Sequence, residues 1–256
     1  MRRRWRSGGP AQWSNHLWLT ARFYEPLWRR RSVRILSGGT YSTERELDAM
    51  QTRLALGPGA SVIDLGCSAG LYARRLAAAG QSPVAVDVSR AFLREGERLA
   101  ERDGVEVRFV NADVHSLPFP DASFDGAVSG GSLNEFADPP RALAEAARVL
   151  RAGAPLWLMY AARAETVLGR ALQALLALSG LRFPTSAQVG TWAAEAGLAE
   201  ERSERRGTLV FACFRRGTGL PPVALSSAIP DWDRPRLRRR KRFNWERHAP
   251  DPERPG

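Results

Sequence analysis

Ser61-Val62-Ile63-Asp64-Leu65-Gly66-Cys67-Ser68-Ala69-Gly70-Leu71-Tyr72, followed by Val84-Ala85-Val86-Asp87-Val88-Ser89, reads as a strand, a glycine-bearing turn, a helix and a second strand that ends in an acid. Val62 and Ile63 are β-branched and apolar, as a strand buried on both faces requires. Gly66 and Gly70 let the backbone turn sharply and approach a ligand where a side chain would obstruct it. The helical spacing of Leu71, Arg75 and Leu76 predicts a helix over 69–79 with Gly80 at its stop. That helix aims its N-terminus at whatever the turn holds. Asp87 stands 23 residues after Asp64, close to the spacing at which doubly wound folds place the acid that accepts from ribose hydroxyls. Its charge suits a diol and repels a 2′-phosphate. Two ligand classes fit the unit: a dinucleotide, whose turn prefers G-x-G-x-x-G, and a mononucleoside over the shorter set Gly66, Ser68 and Gly70.

The shorter pattern resembles motif I of the class I S-adenosylmethionine-dependent methyltransferases, and the resemblance extends along the chain. Val110-Asn111-Ala112-Asp113-Val114 is similar to that family's third cofactor segment. Leu117-Pro118-Phe119-Pro120-Asp121-Ala122-Ser123-Phe124-Asp125-Gly126-Ala127-Val128 matches a run of the methyltransferase type 11 group, which includes enzymes that methylate ubiquinone and menaquinone precursors. Ala142 to Gly153, with Glu145, Arg148 and Gly153, resembles the helix and turn that follow. The likeness spans roughly Ala60 to Arg215. It implies a Rossmann-like α/β fold, a seven-stranded, mostly parallel sheet of order 3-2-1-4-5-7-6 with helices on both faces, and S-adenosyl-L-methionine as cofactor. Carried over by position, Asp64, Gly66, Cys67, Ser68 and Gly70 surround the methionine moiety, Asp87 meets the ribose and Asp113 the adenine amino group, with Val88, Ala112, Val114 and Gly130 completing the cofactor-binding set. Ser68 stands where the family usually has glycine. Ser129 to Phe136 replaces a histidine-bearing segment of the quinone enzymes.

Glu135 is the ionisable residue just beyond the fourth strand, outside the strand ends where an acceptor would sit, and is the candidate general base; a solvent-facing glutamate is the alternative. Cys67 reads as a small packing residue. His16, His115 and His248 are scattered and no Cys/His/Asp cluster has metal-ligand spacing, so no metal is expected. Gly-x-Ser-x-Gly and P-loop patterns are absent.

Charge is uneven along the 256 residues, whose net charge is +11. Residues 1–34 hold nine arginines and one glutamate, 218–256 hold nine Lys/Arg and five Asp/Glu, and 35–217 hold 20 Lys/Arg and 21 Asp/Glu. Basicity therefore belongs to the ends. Both ends read as solvated arms, although Arg234 to Trp245 combines cations with Phe and Trp and offers nucleic acid or an anionic membrane surface a foothold. Two cysteines argue against a disulfide scaffold and no apolar run reaches membrane-spanning length. The arginine-rich start lacks a signal peptide's apolar region, and the expected compartment is the cytoplasm.

The expected organisation is a basic arm over 1–12, an N-terminal helical cap over 13–56, a cofactor-binding domain over 57–217 and a basic Pro/Arg-rich tail over 218–256. In the cap, Tyr24 and Tyr41 are candidates for the lid over the pocket, with packing onto the sheet as the alternative. A second lid insertion falls at 164–183, where Thr166 to Leu181 is unusually rich in leucine. Leu172 and Leu176 are its candidate pocket residues; core packing or a dimer contact explains the same pattern, and its length argues against membrane insertion, the third reading. Predicted strands fall near 61–65, 83–87, 105–110, 124–129, 154–160, 199–205 and 208–215. Predicted helices fall near 69–79, 89–102, 139–150, 165–179 and 186–196. The functional expectation is methyl transfer to a small, apolar or aromatic molecule; the alternatives are a non-catalytic binding module of the same fold and an RNA methyltransferase using the basic ends.

Overall fold

Strand and helix alternate through the computed structural model, which describes residues 30–39 and 41–218. The arm 1–12, Tyr24 and positions 219–256 lie outside the described residues. Helices α1 (Arg30–Leu36) and α2 (Thr43–Leu54) come first, and the Ser42 hydroxyl caps α2 by accepting the Arg45 N–H at 3.3 Å. There follow β1 (Ser61–Leu65), α3 (Leu71–Ala78), β2 (Ser82–Asp87), α4 (Arg90–Asp103), β3 (Arg108–Asn111) and β4 (Gly126–Gly130). A 3₁₀ turn (Ser132–Asn134) leads to α5 (Pro139–Val149), β5 (Pro155–Ala161), α6 (Val167–Ala177), α7 (Ser186–Glu195) and the hairpin of β6 (Leu198–Arg206) and β7 (Leu209–Arg216). Ser89 and Asp138 cap α4 and α5, accepting from the Phe92 and Arg141 N–H groups at 3.3 and 3.2 Å. The first sheet helix starts at Leu71 rather than 69 because Gly70 sits at φ 73°, outside any right-handed helix.

The strands lie in the order β3-β2-β1-β4-β5-β7-β6, as expected, with β7 antiparallel to both neighbours and the other pairs of the first five strands parallel. Parallel pairing brings the carboxyl ends of β1 to β4 to one edge, where the loops that follow them gather. Alternation along β5 shows how the sheet is covered. Trp157 and Met159 join Leu47, Met50, Leu54 of α2 and Tyr72, Leu76 of α3 in one apolar cluster. The Tyr160 hydroxyl, on the opposite face, bonds to Ser186 of α7. Trp157, Tyr160, Phe211 and Phe214 are among the largest fully buried side chains and supply much of the apolar burial.

The two stretches at 117–128 and 142–153 interlock. Glu145 of α5, 4% exposed, accepts the Leu117 N–H at 2.6 Å. Arg148, one turn on, is bound by Glu145 at 2.7 Å and donates to the carbonyls of Leu117 and Phe119 and to the Asp121 carboxylate. These bonds hold the guanidinium pKa well above its ordinary value, the Glu145 bond first among them. One planar cation thus pins the loop that delivers β4 to the sheet.

The leucine-rich helix corrects one expectation. Core packing does not account for it, because α6 buries none of its residues. The reason is which side faces the body: Gln173 accepts the Ala164 N–H at 2.7 Å and donates to the Ala162 carbonyl at 2.9 Å. A Cβ on Gly169 would stand 2.7 Å from that of Ala164. With Gly169 and Gln173 turned inward, the leucines point elsewhere. At the far edge, β6 pairs on one side only among the described residues, its register shifts between Glu200 and Arg202, and Ala199 to Ser203 are all exposed.

Candidate functional site

Three left-handed residues in five shape the loop after β1: Gly66 at φ 67°, Ser68 at 49° and Gly70 at 73°. Glycine at 66 is also a packing requirement, since a Cβ there would meet the Ser132 Cβ at 2.6 Å and the Phe136 ring at 3.2 Å. At Gly70 a Cβ would meet the Phe109 ring at 2.8 Å. Ser68 has no such excuse in glycine's freedom and carries its side chain in a conformation that L-residues avoid. The Cys67 N–H extends the β1–β2 pairing by donating to the Val86 carbonyl at 2.9 Å. The next N–H, of Ser68, donates to the Asp87 Oδ2 at 2.9 Å.

Each acid has a defined station. Asp64 is 2% exposed and accepts the Ala73 N–H at 3.1 Å, placing its charge beneath the first turn of α3, where the helix dipole favours an anion. Asp87 is half-buried, and its Oδ1 accepts the Ser89 N–H at 2.7 Å while Oδ2 takes Ser68. These two backbone donors fix the carboxylate's plane. Val88, directly after it, is 45% exposed, an apolar surface beside an anion. Asn111 closes the end of β2 by donating to the Asp87 and Val88 carbonyls at 3.0 and 2.9 Å, and the Ala112 N–H donates to the Asp87 carbonyl at 3.2 Å.

Asp113 forms a small network. Its Oδ1 takes the His115 N–H at 2.9 Å and lies 2.5 Å from the His115 Nδ1, while Nε2 of the same ring accepts the Asp138 N–H at 3.1 Å. A backbone N–H can only donate, so Nε2 is unprotonated and Nδ1 carries the hydrogen that goes to Asp113. Burial works against the Asp113 carboxylate, but the His115 bonds and nearby Arg141 outweigh it and hold its pKa below the ordinary value. Val114 beneath is 5% exposed.

The β4 side is built on small residues. A Cβ on Gly130 would enter the Tyr72 ring at 2.6 Å, and the Tyr72 hydroxyl in turn donates to Glu46 of α2. The Ser132 hydroxyl donates to the Gly66 carbonyl at 2.6 Å, which ties the β4 turn to the β1 loop. Asn134, 5% exposed, donates to the carbonyls of Ala161 and Arg182 and accepts the Ala161 N–H at 2.8 Å. Glu135 follows, its N–H donating to the Ser132 carbonyl at 2.9 Å. Cys67 is a buried, free thiol, and burial first, then Asp87 and Asp64, pushes its pKa well up. Such a thiol is a packing group rather than a nucleophile.

Asp64, Gly66, Cys67, Ser68, Gly70, Asp87, Val88, Ala112, Asp113, Val114, Gly130 and Glu135 therefore all fall at or just past the carboxyl ends of β1 to β4. Tyr41 falls elsewhere: its ring packs 4.6 Å from that of Phe211 in the cluster under α2. Leu172 and Leu176 stand 57% and 41% exposed on α6. Sequence reasoning missed Asn134 and the His115 bridge. An Asn five residues past a predicted strand end was the available signal for the first; nothing in the sequence pairs His115 with Asp138.

Residues 63–158 match a protein family described as a methyltransferase domain. A demethylmenaquinone methyltransferase of Clavibacter sepedonicus is 39% identical over 111 residues, which cover 42% of this chain and 44% of that protein. The chain spans less than half the length of the first curated relatives it matches. Among solved structures, the [4+2]-cyclase SpnF superposes with a TM-score of 0.63 at 20% identity, covering 80% of this chain and 97% of that one. A geranyl diphosphate methyltransferase in complex with GPP and sinefungin superposes with a TM-score of 0.60 at 16% identity, covering 68% and 77%. These two likenesses show the fold.

Proposed function

We propose that this chain, which carries a methyltransferase domain over residues 63–158 on a class I methyltransferase fold, uses S-adenosyl-L-methionine to methylate a small, apolar or aromatic acceptor. The observation that carries the reading is Asp87: a carboxylate oriented by the Ser68 and Ser89 N–H groups at the end of β2, with the exposed Val88 next to it. A ribose diol needs such an acceptor and a purine such an apolar face. When bound, the cofactor supplies an electrophilic methyl on a sulfonium. The chain's part is to bind and orient. Asp87 would hold the ribose, Val88 and Asp113 the adenine side, and the Gly66–Gly70 loop the methionine end, with Asp64 stabilising that loop from beneath. Asp113, kept ionised by His115, presents an acceptor suited to an amino group. Glu135 is the nearest carboxylate past β4 to take a proton from an acceptor that must lose one.

The demethylmenaquinone methyltransferases among its relatives support the acceptor class. The cytoplasm fits two buried, unbridged thiols. Among the described residues no helix is long and apolar enough to cross a membrane. A neighbour that is a cyclase favours one second reading, in which the fold binds the nucleoside and performs no methyl transfer.

Calorimetric titration with S-adenosylmethionine tests the cofactor. The unmodified chain is expected to bind, and Asp87→Asn, which keeps shape but loses charge, to bind about tenfold or more weakly, the cost of a hydrogen bond to an ionised group. Undetectable binding by the unmodified chain at millimolar cofactor sinks the proposal. Binding without transfer of labelled methyl to any component of a cell extract favours the second reading.

A further inference from the structure

We propose that α6 seats this protein on the surface of an anionic lipid bilayer, with its leucine face in the interface and Arg163, Arg170 and Arg182 against the headgroups. At 100° per residue, Val167, Leu168, Leu172, Leu175, Leu176 and Leu178 span about one half of the helix circumference; Val167, Leu168, Leu175 and Leu178 turn away from the side anchored by Gly169 and Gln173, and Leu172 and Leu176 border it. All six are exposed, from 41% at Leu176 to 81% at Leu168. Val167, Leu168, Leu175 and Leu178, 66–81% exposed, thus present the most exposed apolar surface of the helix to the outside. An apolar patch of this kind on a folded domain marks a contact surface.

Charge decides what covers it. Arg163, Arg170 and Arg182 flank the leucines, are exposed, and form no ion pair with a described carboxylate; Arg170 reaches only the Glu165 backbone carbonyl, and the Glu165 carboxylate pairs with Arg205 at 3.3 Å. A second copy docked through the same face would bring these cations together. The segment 1–34 of this chain, with nine arginines and one glutamate, has the same sign. An anionic bilayer satisfies both halves of the surface, hydrocarbon for the leucines and phosphate for the guanidinium groups. Eleven residues rise only about 17 Å, so the helix lies along the interface and does not span it.

The placement has a further consequence, which alone rests on the methyl-transfer reading. β5 runs parallel to β4, so α6 leaves the sheet at the edge where Asp87 and Glu135 lie. A bilayer held by α6 would bring a membrane-dissolved acceptor to that edge.

Vesicle flotation of the full chain tests the docking without cofactor or acceptor, so its failure is distinct from a failure of methyl transfer. Vesicles are phosphatidylglycerol with phosphatidylcholine, or phosphatidylcholine alone. The unmodified chain is expected to float with the anionic vesicles and less with the neutral ones. The triple change Leu168→Gln, Leu175→Gln and Leu178→Gln is expected to lower partitioning about tenfold or more, because the removed side chains are the exposed apolar area. All three positions are solvent-facing, and unchanged circular dichroism confirms that the variant is folded. The triple change Arg163→Glu, Arg170→Glu and Arg182→Glu is expected to lower anionic binding comparably. The proposal is overturned if the unmodified chain does not float, or if the leucine variant floats as well as its parent, which would assign binding to the basic ends. It is equally overturned if the leucine changes instead abolish a dimer in sedimentation or the binding of an acidic polypeptide.

Discussion

Ser68 concentrates the tension between sequence and backbone at the β1 loop. Its left-handed φ of 49° costs an L-residue roughly 1–2 kcal/mol, while glycine's larger unfolded-state entropy costs about 0.5–1 kcal/mol. Ser68→Gly is therefore expected to stabilise the protein slightly, by about 0.5 kcal/mol, seen as a higher urea midpoint with an unchanged slope. Because the group offered to Asp87 is the backbone N–H, cofactor affinity should not fall. A clear loss of stability would show that the serine hydroxyl makes an offsetting contact. Asp87 and Ser89 were legible as residue types at a spacing, since a strand-end acid and a helix cap are local demands. Their shared bond, Ser89 N–H to Asp87, and the bond from Ser68 were not legible, the latter because it depends on the unusual φ. His115 was opaque for the opposite reason, its partner Asp138 being 23 residues away in a separate loop.

At the scale of elements, the bounds of most strands and helices could be read from periodicity and caps, whereas the order of the strands and the antiparallel β7 came only with the resemblance. What could not be read was which motif residues act on other elements. Glu145 and Arg148 look like a helical i,i+3 pair on a solvated face; in the fold both side chains are largely buried and hold the loop 117–121. Arg148→Ala strands Glu145 without its cation and frees two carbonyls, and is expected to cost about 3 kcal/mol in urea unfolding. The exposed Asp121 contact contributes little of this. Faster amide exchange over 117–125 should accompany the loss, and Arg148→Lys should not restore it, because a single ammonium cannot reach carbonyls and carboxylate together. A change below about 0.5 kcal/mol would show that the loop is held by β4 alone. The leucine helix α6 was equally ambiguous in sequence, since a 3.6-residue pattern does not say which side faces the body. Gly169 and Gln173 decide that, and neither is an apolar residue.

Across the whole molecule, acids with lowered pKa values are spread over distant elements. Burial raises Asp103 but bonds from Arg102 and Arg74 prevail, the same balance lowers Asp113, and the Arg215 bond lowers Glu201. A depressed folded-state pKa gives stability that is present above the unfolded value and lost as pH falls through the folded one. Asp103 and Glu201 are largely exposed, so salt screens their share. Urea midpoints are expected to stay level from neutral pH to about 5 and to drop below about 4, where unfolded carboxylates begin to bind protons. A midpoint that rises on acidification would contradict the assignment of these three groups. The one-sided strand β6 bears on the molecule as a whole in another way. An unpaired strand invites a stranger's backbone to add itself and so begins a fibril. Glu200, Glu201, Arg202, Glu204, Arg205 and Arg206, together with the register shift after Glu200, make this border crowded with charge and locally bent, so that sheet growth from molecule to molecule is refused at the outermost rung.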